Sequence, residues 1–327
     1  MTARDGGRTD AAGATLSDYI AIGRPEQWTK HIFIVPGLLV GLALTGNSVP
    51  FLSIAVGFAS ACLLASANYV LNEWLDADSD RHHPMKGARP AAMGRITARA
   101  VYIEYALLSA LGLLLAAAVS LTFLLTALLF LAGAIVYNVR PMRTKERAHL
   151  DIVSEAANNP LRLLFGWFMV APAGFPPFSL LLLYWCGGAF LMATKRLAEY
   201  RYLVEFSGPE LAGRYRKSFR GYDQTSLLLI SFLYGILSSF FLAVFLIKYR
   251  AELVLTVPLF AWMFMHYLRI AMMEGTLAES PEKFYRQRGL MPILVALIAA
   301  VAVLSVIDIP VLERLIQSRF TVIDFSR

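Results

Sequence analysis

The sequence has little charge and almost no cysteine. Charged residues make up 16% of the 327 positions, hydrophobic residues make up 57%, and the mean hydropathy is +0.58. Because a soluble domain carries about 25% charged residues, this composition argues against a soluble protein and indicates a polytopic membrane protein. Cys62 and Cys186 both fall inside apolar runs. Without CxxC spacing they predict neither a thiolate metal site nor a redox pair.

Several short motifs are also missing from the sequence. No Gly-rich phosphate loop of the GxGxxG or Walker type is present, so neither nucleotide-binding motif is predicted. Four histidines lack the HxxxH spacing of metal ligands: His82, His83, His149 and His266. Residues 1–22 lack the apolar stretch of a cleavable signal peptide, and their small polar residues predict a disordered cytoplasmic tail.

Apolar segments dominate the rest of the chain. Nine of them cover residues 31–46, 51–75, 98–118, 121–138, 152–173, 177–198, 224–247, 252–273 and 290–309. Several are near the ~20 residues that a bilayer crossing needs. Just before the first, residues 24–30 combine a tryptophan with two cations, which is typical of a helix lying on the lipid headgroups. We therefore expect a transmembrane domain over residues 23–310 and a short tail over residues 311–327.

The basic residues follow the predicted topology. Most of the 30 lysines and arginines fall in the N-terminal arm and in every second loop. By the positive-inside rule these parts lie in the cytoplasm, and nine spans place the C-terminus outside. The net charge of +7 then needs no nucleic-acid partner to explain it. We predict a multi-pass protein of a bacterial-type inner membrane, surrounded by membrane lipids, with its N-terminus in the cytoplasm.

An acidic helix face follows the second apolar segment. Asn72, Asp76 and Asp80 are spaced i, i+4, i+8, and each such step rotates only ~40° around a helix, so the three side chains share one face. Oxygen ligands on one face suit Mg²⁺, which binds one or two carboxylates together with substrate phosphate oxygens. Lys86 and Arg89 follow closely and are predicted to hold further phosphate oxygens.

A second polar stretch follows the fourth apolar segment. The run YNVRPMRTKER over residues 137–147 is rich in cations, and Asp151 and Glu155 come directly after it. Ionisable groups at membrane depth usually face a cavity or a partner. Two interpretations stay open for Asp151: it contributes to a site, or it forms an internal ion pair with Arg162 or Lys145 that locks two helices together.

The end of the sixth apolar segment carries Lys195, Arg196 and Glu199, where the span emerges from the membrane. The loop that follows interleaves cations with aromatic residues up to position 222, a composition that suits anionic lipid headgroups, a diphosphate or the membrane surface. The loop over residues 274–288 predicts only a solvated rim. All of these groups lie on the face assigned to the cytoplasm.

The pattern Asn72-x3-Asp76-x3-Asp80 with the later Arg89-Pro90 resembles the first acidic motif of the UbiA superfamily of intramembrane prenyltransferases. The Tyr137…Lys145 pair and the nine segments agree with this resemblance, which covers about residues 20–310. It implies an all-α bundle of about nine transmembrane helices around a cavity that opens to the cytoplasm. It also implies that Mg²⁺ holds a diphosphate donor there and that a polyprenyl lipid lies between the helices. Packing into a homo-oligomer would follow by analogy.

The sequence departs from the family at the sixth segment. Typical members carry a second DxxxD motif there, whereas this chain reads Lys195-Arg196-x-x-Glu199. This KRxxE variant is similar to one branch, the polyprenyl-phosphate phosphoribosyltransferases, which make a precursor for the cell envelope. A donor with a 5-phosphate besides its diphosphate needs more cations and fewer carboxylates, and the replacement changes the charge in that direction.

The resemblance implies a set of site residues. Metal ligands are Asn72, Asp76 and Asp80; catalytic groups are Asp76, Asp80, Asp151 and Glu199; phosphate-binding cations are Lys86, Arg89, Lys145, Arg162, Lys195 and Arg196. The expected reaction is Mg²⁺-dependent transfer of phosphoribosyl from phosphoribosyl diphosphate to a polyprenyl phosphate. Two alternatives stay open: transfer of a polyprenyl group from its diphosphate to an aromatic or isoprenoid acceptor, and transport of a lipid or anion.

Overall fold

The protein is all-helical wherever its structure is described. The structure is a computed structural model and describes residues 14–48, 50–81, 87–273, 289–304 and 306–312. Every regular element in these ranges is an α- or 3-10 helix and none is a strand, which confirms the predicted all-α class.

The described chain contains eleven α-helices and four 3-10 helices. The α-helices are α1 (Leu16–Ile22), α2 (Val35–Thr45), α3 (Phe51–Asp80), α4 (Ala98–Val119), α5 (Leu121–Asn138), α6 (Leu150–Ala156), α7 (Asn158–Val170), α8 (Phe178–Tyr215), α9 (Gln224–Tyr249), α10 (Val257–Met272) and α11 (Leu290–Leu304). The 3-10 helices are Pro25–Ile34, Thr144–Glu146, Lys217–Gly221 and Ala251–Thr256.

The chain divides into two compact units. The first contains the residues up to Pro176 together with Ser207–Tyr222, and the second contains Pro177–Phe206 and the residues from Asp223 onward. Gly208 interrupts α8 with φ +76° and ψ 165°. Glycine accepts this left-handed region without the steric cost of a Cβ, and the proline after it disfavours helical backbone at this position.

The first unit is held together by close contact between α2 and α7. A Cβ on Gly37 would lie 2.1 Å from the carbonyl oxygen of Leu163, and a Cβ on Gly166 would lie 2.1 Å from that of Ile34. Only glycine permits this approach of two backbones. Beside it, the ring of Phe165 packs at 4.9 Å from Phe123 and at 5.6 Å from Phe130, between centroids. These aromatic contacts form the buried core that supports α3.

The second unit has its own, smaller core. The ring of Phe190 in α8 lies 4.7 Å from that of Phe264 and 6.0 Å from that of Tyr267, between centroids. Arg250 donates from Nε to the carbonyl oxygen of Leu304 at 2.7 Å. This bond satisfies a carbonyl at the end of α11, where the helix itself supplies no partner.

Seven helical stretches of the described chain are long and apolar enough to cross a membrane: Leu16–Thr45, Phe51–Asp80, Ala98–Val119, Leu121–Asn138, Phe178–Glu205, Gln224–Tyr249 and Ala251–Met272. Two further predicted segments correspond to the shorter α7 and α11. The segment predicted over residues 152–173 is divided after α6, and Pro160 falls in the first turn of α7, where its missing N–H costs least. Polytopic membrane architecture is confirmed, and the count of nine spans stays a prediction.

The structure corrects the predicted N-terminal boundary. Residues 16–22 were expected in a disordered tail but form α1, whose Ile22 is fully buried. The helix starts at a Thr15–Asp18 capping pair, in which the Asp18 carboxylate accepts from the Thr15 amide at 2.9 Å and from its hydroxyl at 2.7 Å. Residues 1–13 and most of the predicted tail over 311–327 lie outside the described residues.

Candidate active site

The last turns of α3 carry the predicted metal ligands. Asn72, Asp76 and Asp80 lie on this single uninterrupted helix at one-turn intervals, as the spacing predicts. The Asp76 side chain is 21% exposed and the Asp80 side chain 8% exposed. Both side chains are therefore mostly shielded from water, and burying a carboxylate is costly unless it is paired and hydrogen-bonded.

Asp76 is the point at which two loop cations converge. Its Oδ1 accepts from Lys145 Nζ at 2.6 Å and from Arg143 NH2 at 3.1 Å. Both cations come from the turn after α5, in and before the 3-10 helix Thr144–Glu146. The turn is thereby fixed against α3 by charge-assisted hydrogen bonds, which are the stronger kind.

Asn138, the last residue of α5, links these groups and was missed from the sequence. Its Oδ1 accepts from Asn72 Nδ2 at 2.6 Å and from Lys145 Nζ at 2.8 Å, while its own amide donates to the carbonyl of Ala134. It is only 3% exposed. An amide directly after an apolar span and before a cationic run was the available signal, because a buried amide must find partners.

Lys145 is buried beside two other cations. Burial lowers the pKa of its ammonium below the ordinary 10.5; Asp76 opposes that shift, and Arg143 and Arg216 add to it. The lysine thus gives up a proton more readily than a solvated one does. A further anion close to it would favour its charged form, which is the direction expected of a phosphate-binding lysine.

Asp80 has its own partner on the loop that follows α3. Arg89 forms an ion pair and hydrogen bond with Asp80 Oδ2. Arg81 donates to the carbonyl of Ala92 at 3.1 Å and so helps to hold the same loop. Lys86, a predicted phosphate ligand, lies outside the described residues. Of the two loop cations predicted from this stretch, Arg89 is therefore placed at the acidic face.

Glu73 serves a different purpose from its acidic neighbours. It is 1% exposed and accepts from Arg24 at 3.1 Å and 2.7 Å. Trp28, in the 3-10 helix after Arg24, donates to the Ser66 hydroxyl at 3.0 Å. The stretch predicted to lie at the headgroups therefore also binds α3 through one buried ion pair and one hydrogen bond.

Asp151 is a buried hydrogen-bond acceptor. It has no exposed surface, and it accepts from the Ser218 hydroxyl at 3.0 Å and from the Tyr222 hydroxyl at 2.7 Å. Tyr222 also accepts from the backbone amide of His149. These bonds fix the segment after α8 onto the start of α6. A direct catalytic role for Asp151 stays a prediction.

The remaining predicted residues lie elsewhere. Arg162 is in α7, and no hydrogen bond or ion pair joins it to the acidic face within the described ranges; its Nε is buried without an acceptor there. Lys195, Arg196 and Glu199 lie in α8 and belong to the second unit. Arg196 is 4% exposed and donates to Glu199 at 3.0 Å, as i, i+3 neighbours on one helix.

The residues of the acidic face fit Mg²⁺ that arrives with a diphosphate. Within the described residues, no three or more His, Cys, Asp or Glu side chains form a group that could hold a metal by themselves. α3 instead offers two carboxylates and the Oδ1 of Asn72, which makes no hydrogen bond in the described part of the chain. Mg²⁺ commonly binds one or two carboxylates and completes its octahedron with phosphate oxygens and water.

Comparison with known proteins assigns the family. Residues 34–287 match the UbiA prenyltransferase family, which is well over half of the chain. The chain belongs to the UbiA prenyltransferase family. This confirms the predicted membership and identifies the chain as a member of a family of membrane-embedded transferases.

Individual UbiA relatives point to one branch. The chain is 30% identical over 221 residues to a decaprenyl-phosphate phosphoribosyltransferase of Mycolicibacterium smegmatis, covering 65% of this chain and 64% of that protein. It is 31% identical over 220 residues to the enzyme of the same name from Corynebacterium glutamicum, covering 62% of this chain and 59% of that protein. The matched region thus spans somewhat less than two thirds of these relatives.

A solved UbiA structure supports the fold. The UbiA homolog from Archaeoglobus fulgidus, bound to DMAPP and Mg²⁺, superposes with a TM-score of 0.66 at 22% identity. The match covers 89% of this chain and 100% of that protein. At this identity the likeness establishes the shared helical fold.

Proposed function

We propose that this UbiA-family protein transfers a phosphoribosyl group from phosphoribosyl diphosphate to a polyprenyl phosphate, with Mg²⁺ at the acidic face of α3. The main support for this donor is the set of charged residues at positions 195, 196 and 199. Where typical family members have DxxxD, this chain has two cations and one acid, and Arg196 is buried and already paired with Glu199. The similarity to two decaprenyl-phosphate phosphoribosyltransferases supports the same donor.

The acidic face would bind the diphosphate of the donor. Asn72, Asp76 and Asp80 are the residues that would hold Mg²⁺, which when bound neutralises charge on the leaving diphosphate. Lys145 and Arg143 already converge on Asp76 Oδ1. Their N–H groups would donate to phosphate oxygens bound beside that carboxylate, and this stabilises the charge that develops as the C1–O bond breaks.

The acceptor needs little activation by the protein. A phosphate monoester has a second pKa near 6, so the polyprenyl phosphate already carries an anionic oxygen at neutral pH. That oxygen forms the new bond to the ribose C1 while diphosphate leaves, and no proton has to be removed from the nucleophile. The protein's contribution is to position the two phosphates and to exclude water from C1.

The test is a paired transfer assay on the purified full chain in lipid with Mg²⁺. One reaction contains labelled phosphoribosyl diphosphate and polyprenyl phosphate; the other contains labelled polyprenyl diphosphate and a panel of aromatic acceptors. We expect label to enter the lipid phase in the first reaction and EDTA to abolish this. Product in the second reaction alone would contradict the proposed donor.

A charge reversal distinguishes the two donors further. Lys195→Asp should impair transfer from phosphoribosyl diphosphate far more than any transfer from a prenyl diphosphate, because phosphoribosyl diphosphate carries more negative charge for this cation to offset. Arg99→Asp is the matched control for a reversal of the same size and sign, since Arg99 is exposed at the start of α4. Equal loss with both donors would remove Lys195 from the donor site.

A further inference from the structure

A cationic groove lies in the first unit beside the acidic face. Its volume is about 440 Å³. We call it the basic groove, and its charged lining residues are Arg140, Arg143, Glu146, Arg147, Lys217 and Arg220. Five cations thus surround a single carboxylate. Like charges brought together in a protein raise its energy unless an anion compensates them.

The single acid of the groove is already used. Glu146 Oε1 lies 2.7 Å from Arg143 Nε and 2.9 Å from Lys217 Nζ. Partial burial raises the pKa of Glu146, and these two cations more than offset this and hold the pKa below its ordinary value. Arg140, Arg147 and Arg220 form no ion pair with a carboxylate in the described part of the chain, so three guanidinium charges are left over.

The basic groove is built by contacts from two distant parts of the chain. Asp151 binds the hydroxyls of Ser218 and Tyr222 and so fixes the turn that carries Lys217 and Arg220. The stem of Arg220 packs on Gly213, where a Cβ would lie 2.9 Å from Arg220 Cγ. Since a buried carboxylate must be hydrogen-bonded, these two bonds hold the turn and its cations in place.

Arg143 connects the groove to the acidic face. Its NH2 lies 3.1 Å from Asp76 Oδ1, and its Nε lies 2.7 Å from Glu146 Oε1. The Nε contact is an ion pair without hydrogen-bond geometry, so that this buried N–H has no acceptor within the described residues. One guanidinium therefore borders both sites, and a ligand with two separate phosphate groups could occupy both at once.

We propose that the basic groove binds a phosphomonoester dianion, with Arg147 and Arg220 as its principal ligands. Guanidinium groups match phosphate oxygens in paired hydrogen bonds, and a dianion offsets most of the surplus charge. The proposal deepens the proposed function and rests on it for the source of the phosphate: the 5-phosphate of the sugar donor. The headgroup of the polyprenyl phosphate offers the same chemistry, and the experiment separates the two.

The first measurement is binding of ribose 5-phosphate to the full chain in nanodiscs of neutral lipid, by isothermal titration calorimetry. Arg147→Gln and Arg220→Gln should each weaken binding at least about tenfold, as expected for a lost hydrogen bond between charged groups. Arg99→Gln, an exposed arginine at the start of α4, is the matched control and should leave binding unchanged. Unchanged binding in both groove variants, with ribose 5-phosphate bound by the parent protein, would exclude the 5-phosphate of the sugar donor as the ligand of the groove.

Two further titrations identify the source of the bound phosphate and show which proposal fails, the groove or the donor. Farnesyl phosphate in the nanodisc tests the lipid headgroup: if the groove variants weaken it and spare ribose 5-phosphate, the groove holds the acceptor. If the groove variants bind both ribose 5-phosphate and farnesyl phosphate as tightly as the parent protein does, the proposal is wrong. Mg²⁺ with pyrophosphate tests the acidic face separately and should be unaffected by Arg147→Gln. Loss of phosphomonoester binding in the variants together with no phosphoribosyl transfer by the parent protein would retain the groove and reject the proposed donor.

Discussion

Replacing Asp76 by asparagine tests the acidic face most sharply. Asp76 Oδ1 is shared by Lys145 at 2.6 Å and Arg143 at 3.1 Å, and the carboxylate is one of only two on this face of α3. Asparagine keeps the size of the side chain and one oxygen acceptor but removes the charge. The change therefore separates loss of charge from loss of packing.

The expected cost to folding is modest. Breaking a buried ion pair by removing one partner costs 3–5 kcal/mol. Asp76 is 21% exposed and its replacement still accepts a hydrogen bond, so we expect about 1–3 kcal/mol. The cost to function is larger, because a hydrogen bond or ligand contact to a charged group contributes ~1.5–3 kcal/mol to binding, or roughly 10- to 150-fold. Loss of transition-state stabilisation should lower kcat/KM by at least ~100-fold.

The assay measures turnover and binding of Mg²⁺ with pyrophosphate on the same folded preparations. Asp78→Asn is the control: the same chemical change on the same helix, on a side chain that is 86% exposed. It should keep both activity and binding. An Asp76→Asn protein that retains more than about a tenth of kcat/KM would refute the metal assignment, as would an equal loss in the control.

Three other predictions follow from individual contacts. Asp151→Ala leaves two buried hydroxyl donors without their acceptor and should lower stability by about 2–4 kcal/mol, measured by thermal unfolding in detergent; an unchanged midpoint would contradict the anchoring role. The pKa of Glu146 in the folded protein is depressed, so its ion pairs stabilise the fold above the ordinary pKa of 4.5. This stabilisation is lost as the pH falls below that value. Glu146→Gln should therefore reduce the fall in thermal stability between neutral and acidic pH. Gly37→Ala places a Cβ 2.1 Å from a backbone oxygen and should prevent stable packing, whereas Gly133→Ala has open space and should be neutral or slightly stabilising; comparable thermal midpoints for the two variants would argue against the close contact of α2 with α7.

Local patterns predicted the acidic helix well. The i, i+4, i+8 spacing of Asn72, Asp76 and Asp80 needs only helical geometry, and a single helix carries all three. Apolar length likewise predicted most membrane-crossing helices, since it depends on composition alone. These features are encoded within 20 to 30 consecutive residues, where sequence reasoning is most dependable.

Contacts between distant segments could not be predicted in the same way. Lys145 reaches Asp76 across 69 positions, and Asn138 joins both Asn72 and Lys145, because the turn after α5 folds back over α3. Asp151 was predicted either to contribute to a site or to form an ion pair with Arg162 or Lys145, and its hydroxyl partners lie 67 and 71 positions further on. The sequence shows that these side chains are polar or charged. Which partner each of them binds depends on tertiary packing.

The most direct test of the central claim is the chemical identity of the lipid product. Polyprenyl phosphate and phosphoribosyl diphosphate would be incubated with the full chain and Mg²⁺, and the extracted lipid analysed by mass spectrometry with phosphate counting. We expect a polyprenyl lipid that has gained one pentose and one phosphate, with inorganic diphosphate released in equal amount and no product in EDTA. Unaltered polyprenyl phosphate in this reaction, with prenylated acceptor formed from polyprenyl diphosphate instead, would contradict it.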